Sequence, residues 1–133
     1  MPASKGVRGL SLDASPRAGE VELAADFQSE GDTLAPFVEA DLLVFASNRP
    51  GGAGGYDLYA ARYRDGAWEE PRNMQELMPH GVVLNTPANE FRPSLLTLSL
   101  KDYRELRVLL FSSDRSGGQG GYDLYLTALP DLE

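Results

Sequence analysis

The 133-residue sequence contains no cysteine, one histidine and one tryptophan. The absence of cysteine excludes disulfide bonds, thiolate metal ligands and a cysteine nucleophile. No stretch approaches the roughly 18 apolar residues that a membrane-spanning helix needs, so we expect no membrane insertion. The single histidine, His80, lies in a Met-Pro-His-Gly connector, and no Gly-x-Ser-x-Gly motif accompanies it. The sequence therefore gives little support to a Ser-His-Asp hydrolase.

Basic charge is also scarce in this chain. Twelve Lys and Arg residues stand against 20 Asp and Glu residues, which gives a net charge of −8, and the basic residues are scattered. Because clustered basic residues bind nucleic acids and anionic membranes, we expect neither partner. The carboxylates, including Glu69 and Glu70, could supply the acid and base of a glycosidase, but scattered acids more often form a solvated surface. We predict that the chain is not an enzyme.

The N-terminal segment differs in composition from the rest of the chain. Residues 1–20 are rich in Ser, Gly, Pro and Ala, which predicts a flexible N-terminal arm. The first ten residues carry some positive charge without the apolar stretch of a secretory signal. The whole chain is 42% hydrophobic and 24% charged, so residues 21–133 are expected to form one globular domain.

An internal repeat dominates the sequence. Residues 43–59 read LVFASNRPGGAGGYDLY, and residues 109–125, which lie 66 positions later, read LLFSSDRSGGQGGYDLY. Twelve of these 17 positions are identical. A self-match of this quality at a fixed offset indicates a repeat architecture, in which one supersecondary unit stacks on copies of itself.

The residues around the first copy predict β-strands. Apolar runs are separated by clusters of Gly, Asn, Asp and Ser, and Pro36 and Pro71 mark strand edges or bulges. Four strands over 33–72 would form an antiparallel meander, and a connector over 74–83 with a short helical turn would follow it. The predicted strands cover 21–27, 33–38, 42–47, 56–63 and 67–72.

The second copy repeats this pattern with a longer hairpin. Strands are predicted over 109–113 and 122–129. Pro93 aligns with Pro36 and Phe111 with Phe45, and the distance between proline and phenylalanine is 18 residues in the second copy against 9 in the first. The extra nine residues place a hairpin tip near 101–104. No counterpart of the strand that contains Trp68 follows the second copy.

The repeated residues resemble the WD40-like β-propeller repeat (PD40) family, as in the TolB propeller and OmpA-linked envelope proteins. The resemblance rests on residues 45–52 with 55–59, on their second copy, on the Asn-Thr-Pro at 85–87 and on the Asp-Gly-Ala-Trp at 65–68. It implies an all-β fold of two four-stranded antiparallel propeller blades, over about 29–84 and 85–129. The strand at 21–27 would complete a blade. The resemblance also implies a periplasmic or cell-envelope location.

Two blades cannot close a propeller, because a closed ring needs four or more. We therefore expect homo-oligomers, in which copies assemble head to tail and the N-terminal strand of each completes the last blade of its neighbour. Three copies would give a six-bladed ring. The alternative is that the chain is a fragment of a larger TolB-like or hydrolase propeller.

The repeated motif contains charged residues with structural roles. We expect Arg49 and Arg115 to bind Asp57 and Asp123, or loop carbonyls, because a guanidinium holds several acceptors at once. The glycine-rich loops do not fit the phosphate-binding motifs. A calcium ion held by Asp114 and Asp123 is a minor alternative, and no other cofactor is predicted.

Aromatic residues and the long hairpin supply the candidates for ligand binding. Aromatic residues at fixed positions in a repeat usually pack between units, although exposed ones bind sugars. Loops on a rigid scaffold often carry function. We predict a non-catalytic interaction module that binds a protein partner through the blade rim, with a glycan-binding oligomeric lectin as the alternative. The ligand candidates are Tyr56, Trp68, Tyr122, Lys101, Tyr103 and Arg104.

Overall fold

The computed structural model describes residue 19, residues 21–102 and residues 104–130, and these form an all-β fold of two antiparallel sheets. Sheet I contains β1 to β5, and sheet II contains β6 to β8. The predicted arm over 1–20 lies outside the described residues except for residue 19. The strands are β1 Thr33–Glu39, β2 Leu42–Ser47, β3 Asp57–Arg64, β4 Ala67–Trp68, β5 Arg72–Asn73, β6 Glu90–Ser99, β7 Glu105–Ser113 and β8 Asp123–Ala128.

Sheet I is the predicted meander with an interrupted outer strand. Its strands follow the order β1-β2-β3-β4, and β5 also pairs with β3. β4 and β5 pair with successive parts of β3, so together they form one outer strand. Pro71 lies in the gap between them and has no N–H to donate to the sheet. A 3₁₀ turn at Met74–Leu77 then confirms the helical turn predicted in the connector.

Both copies bend at the same proline. Ala35 and Arg92, which precede Pro36 and Pro93, have φ angles of 54° and 52°. The pairing register shifts across each proline, so each strand carries a β-bulge there. The sequence predicted a proline at a strand edge or bulge, and the structure shows a bulge in both copies. The repeat is therefore present in the backbone as well as in the sequence.

Sheet II is a three-stranded meander, β6-β7-β8, with the long hairpin that the sequence predicts. β6 and β7 stay paired from Glu90 with Ser113 out to Ser99 with Glu105. The turn of this hairpin contains Lys101. Among the described residues, no fourth strand pairs with β8, in agreement with the missing counterpart of the Trp68 strand.

The predicted strand over 21–27 is wrong. Ala25–Phe27 is a 3₁₀ turn, closed by a hydrogen bond of 3.2 Å from the Phe27 N–H, and the preceding four residues are not in a strand. The Phe27 ring is buried against Phe45 and Trp68 of the same chain. Burial of this ring on sheet I and the hydrogen bond that the Phe27 carbonyl accepts from Arg49, rather than strand pairing, hold the segment. In this structure the segment completes no sheet.

The core lies between the two sheets and on the far face of sheet I. Because strand residues alternate between faces, β2 contributes to both clusters, and all six of its residues are buried. No helix among the described residues is long and apolar enough to cross a membrane. The inter-sheet cluster contains Leu42, Val44, Ala46, Leu58, Ala60, Met74, Leu84, Leu95, Leu109, Phe111 and Leu129. The far-face cluster contains Phe27, Leu43, Phe45, Tyr59 and Ala61.

Candidate interaction surface

Arg49 and Arg115 occupy equivalent positions and make equivalent hydrogen bonds. Each Nε donates to the hydroxyl group of the serine two residues earlier, at 2.9 and 3.0 Å. Each Nη2 donates to a main-chain carbonyl of the segment that leads into its copy, that of Phe27 or Leu84, at 2.6 Å. The acceptor carbonyls belong to these lead-in segments, whereas the sequence predicted Asp57 and Asp123 or loop carbonyls as the partners. Both arginines therefore fix a lead-in segment to its sheet.

Ring stacking completes each arginine site. The Arg49 guanidinium lies 4.9 Å from the centroid of Tyr59, and that of Arg115 lies 4.9 Å from the centroid of Tyr125. Each tyrosine ring also stacks on the phenylalanine of the preceding strand. A planar guanidinium suits both the stacking and the fork of hydrogen bonds, whereas an ammonium group does not.

Replacement of Arg49 by lysine tests this arrangement. We expect Arg49→Lys to lower the free energy of unfolding by roughly 1–3 kcal/mol, because lysine cannot reach all the acceptors while it stacks on Tyr59. Urea denaturation followed by circular dichroism measures the change. Arg104→Lys is the control, since this exposed side chain pairs with Asp102 at the hairpin tip and is expected to change stability by less than about 0.5 kcal/mol. Equal midpoints for both variants would contradict the assigned role.

Asp57 and Asp123 hold the glycine-rich loops. The N–H of Ala53 donates to Asp57 Oδ2 at 2.6 Å, and the N–H of Gln119 donates to Asp123 Oδ2 at 2.8 Å. A Cβ atom at Gly52 or at its equivalent in the second copy would overlap the carboxylate. The distance in sequence between this glycine and the aspartate is therefore fixed in both copies, because the loop folds back so that its N–H groups bind the aspartate that follows it.

The calcium alternative gains no support from the described residues. The Asp114 carboxylate accepts the main-chain N–H of Asn89 at 2.8 Å and its side-chain amide at 3.2 Å. These hydrogen bonds lower the pKa of Asp114. Asp123 accepts loop N–H groups, as described above. No group of three or more His, Cys, Asp or Glu residues could hold a metal ion in the described part of the chain.

Two of the four aromatic candidates, Tyr56 and Trp68, have packing roles. The Tyr56 ring packs on Phe91 with centroids 5.6 Å apart, and its hydroxyl donates to the Asp32 carboxylate at 2.6 Å. Trp68 packs edge-on against Phe27 and against Tyr63. These contacts match the packing interpretation of the repeated aromatics.

Three of the remaining ligand candidates, Tyr122, Lys101 and Arg104, lie at the surface. Tyr122 is 53% exposed. Lys101 and Arg104 are exposed at the β6–β7 hairpin tip, and Tyr103 lies outside the described residues. Tyr122, Lys101 and Arg104 are therefore not packed into the core.

A cavity of about 300 Å³ lies beside the gap between β4 and β5. Its charged lining includes two ion pairs of 3.5 Å, Arg64 with Glu69 and Arg72 with Glu76. Both signs of charge are mixed in this cavity, so it does not favour a ligand of one charge.

The first loop is joined to the lead-in segment of the second copy. The N–H of Tyr56 donates to Asn89 Oδ1 at 2.9 Å, and the N–H of Glu90 donates to the carbonyl of Tyr56 at 2.7 Å. The N–H of Gly55 donates to the carbonyl of Pro87 at 3.4 Å. These bonds set the position of sheet II relative to sheet I.

A pair of buried carboxyl groups lies at the same contact. Glu90 is fully buried and accepts hydrogen bonds from Thr86, Ser113 and Arg115. Asp57 is 1% exposed, and its Oδ1 has no hydrogen-bond partner among the described residues. Burial, together with the neighbouring Glu90 carboxylate, raises the pKa of Asp57 to about 6. A proton shared between the two groups would relieve their repulsion.

One face of sheet II, called here the open face, is apolar and uncovered. Leu124 and Leu126 on β8 are 71% and 70% exposed, and Leu96 on β6 is 55% exposed. The register of the three strands places ten side chains on this face, and none is charged. They are Ser94, Leu96, Leu98, Leu106, Val108, Leu110, Ser112, Leu124, Leu126 and Ala128.

The repeat shows what normally covers such a face. Leu58 and Ala60 are the equivalents of Leu124 and Leu126 in sheet I, and they are 0% and 3% exposed because sheet II lies over them. The residues of the open face are not among the candidates predicted from the sequence. A sequence pattern that could have indicated this face is the Leu-Tyr-Leu of β8, in which consecutive residues are apolar or aromatic. Strands of that kind are usually covered on both faces.

No protein-family model, curated protein or solved structure matches this chain. The open face is the candidate that the geometry supports, because the described residues of the fold do not cover it.

Proposed function

We propose that this chain is a non-catalytic protein-interaction module, built of two β-propeller-type blades, that binds a protein partner through the open face of sheet II. The proposal depends on the exposure of Leu124 and Leu126, because their equivalents in sheet I are buried under another sheet. Contiguous apolar patches beyond roughly 300–600 Å² mark interaction sites. Burial of one such leucine contributes about 1.5–3 kcal/mol.

Three shared features support the blade interpretation. The two sheets stack face to face, both first strands bulge at a proline, and both copies use an arginine to hold the lead-in segment. A unit that stacks on copies of itself behaves in this way. The resemblance to the PD40 family supports the same proposal, and a periplasmic or envelope location follows from that resemblance.

The hairpin tip extends the proposed surface. Leu98 and Leu106 on the open face pair with each other near the tip, where Lys101 and Arg104 are exposed. An apolar centre with a polar, charged border is typical of protein interfaces. The rim contact predicted from the sequence would thus adjoin the open face. Glycan binding is less well supported, because Tyr56 and Trp68 have packing roles.

A photo-crosslinking amino acid at position 124 tests the proposal in cells that produce the protein. We expect a discrete crosslinked product from position 124. The same group at Val83, which is 65% exposed and outside the open face, is the control and should give no such product. Circular dichroism checks that both variants fold. Identical products from both positions, or none from position 124, would count against the proposal.

A further inference from the structure

We propose that the occupant of the open face is a second copy of this chain, and that two copies pack open face against open face across a two-fold axis. This inference rests on the proposed function, because it uses the same surface. It differs from that function in naming the partner and the symmetry.

Charge favours a second copy on this face despite the acidic chain. The net charge of −8 opposes self-association in general. None of the ten side chains on the open face is charged, so two copies can meet without burying an unpaired carboxylate. The neighbouring hairpin tip carries both signs, in Lys101, Asp102 and Arg104, so it does not add a repulsion of one sign.

The far face of sheet I is already covered by residues of the same chain, which favours one of two modes of assembly. A head-to-tail ring needs the open face of one copy to pack on the far face of sheet I in the next. On that face, Leu43, Phe45 and Tyr59 are only 6%, 1% and 5% exposed, and Phe27 packs against Phe45. The ring stays a competing prediction. The open face, by contrast, can meet its own copy, which is an isologous contact.

The area of the open face determines the affinity that we expect for the dimer. Three strands with about six residues each cover roughly 20 Å by 15 Å. The flat area is therefore about 300 Å² on each copy, and with the side chains that stand out from it the two faces bury about 600 to 1,000 Å² in total, which is at or below the lower limit for specific interfaces. Face-to-face sheets pack about 10 Å apart with interdigitated side chains, and leucines of this size fill that space. We therefore expect a dimer that dissociates at micromolar concentrations.

Sedimentation velocity over a range of protein concentrations tests the dimer. We expect the 14.5 kDa monomer at low concentration and twice that mass at high concentration. Leu126→Lys should weaken the dimer about 100-fold or more, because each contact would bury two ammonium groups. Val83→Lys, an exposed change outside the open face, should leave dimerisation unchanged. Thermal unfolding of each variant checks that the fold is intact.

A single cysteine tests the symmetry, since the chain has none of its own. Leu110 lies on the central strand of the open face, where side chains near a two-fold axis meet their own copies. We expect Leu110→Cys to form an intermolecular disulfide under mild oxidation, and Val83→Cys not to do so. No disulfide at position 110 in a confirmed dimer would overturn the two-fold arrangement.

Other outcomes separate the two proposals. A discrete trimer would overturn the two-fold dimer in favour of the head-to-tail ring. A monomer at all concentrations would overturn the second copy as occupant. If position 124 then crosslinks to a different protein, the proposed function stands. If it crosslinks to nothing, the proposed function fails as well.

Discussion

Replacement of Gly54 by alanine is expected to lower the free energy of unfolding by roughly 3 kcal/mol or more. A Cβ atom at Gly54 would overlap the backbone of Pro87, in the segment that leads into the second copy. Backbone atoms cannot move aside as a flexible side chain can, so the contact between the first loop and this segment must open. Urea denaturation followed by tryptophan fluorescence measures the loss, since Trp68 lies in sheet I.

The repeat supplies a matched control for this prediction. Gly120 is the equivalent of Gly54 in the second copy, and its Cβ would meet the nearest atom, Asp123 Oδ1, at 3.7 Å. Neither glycine has a positive φ, so the available space decides the outcome. Gly120→Ala is therefore expected to leave stability unchanged or to raise it by up to about 1 kcal/mol. Equal losses in both variants would indicate that the loop conformation, and not the inter-sheet contact, determines the effect.

Local features of the fold could be predicted from the sequence. The turn residues between apolar runs placed the strands of the repeat, because Gly, Asn and Asp adopt the turn conformations. Pro36 marked a strand edge or a bulge, because proline cannot donate a hydrogen bond to the sheet. The extra length of the second copy located its hairpin. Each of these inferences depends on residues that are near each other in the sequence.

Long-range features could not be predicted in the same way. The acceptor of Arg49 is the carbonyl of Phe27, 22 residues earlier, so it is known only once that segment is placed on sheet I. The segment over 21–27 alternates like a strand, but a strand also needs an edge to pair with. Likewise, the exposure of Leu124 was not predicted, because the stacking of the sheets decides which face of β8 is covered.

The pH dependence of stability is expected to change in Asp57→Asn. The pKa of Asp57 in the folded chain, about 6, is above its ordinary value of 3.8, so the folded state binds this proton more tightly. The resulting stabilisation is complete below about pH 4, declines as the pH rises to about 6 and is absent above that. A shift of about two units corresponds to roughly 3 kcal/mol. The asparagine variant should lack this decline.

The difference between the two proteins is the quantity to measure, because other carboxylates titrate in the same range. An asparagine can still accept the Ala53 N–H and can donate its amide to Glu90, so it replaces the shared proton at every pH. We expect equal urea midpoints at pH 4 and a more stable variant at pH 7.5. Asp123→Asn is the matched control, because Asp123 accepts the loop N–H of Gln119 in the second copy. A constant difference between Asp57→Asn and the unmodified chain from pH 4 to 7.5 would show that the carboxyl pair shares no proton.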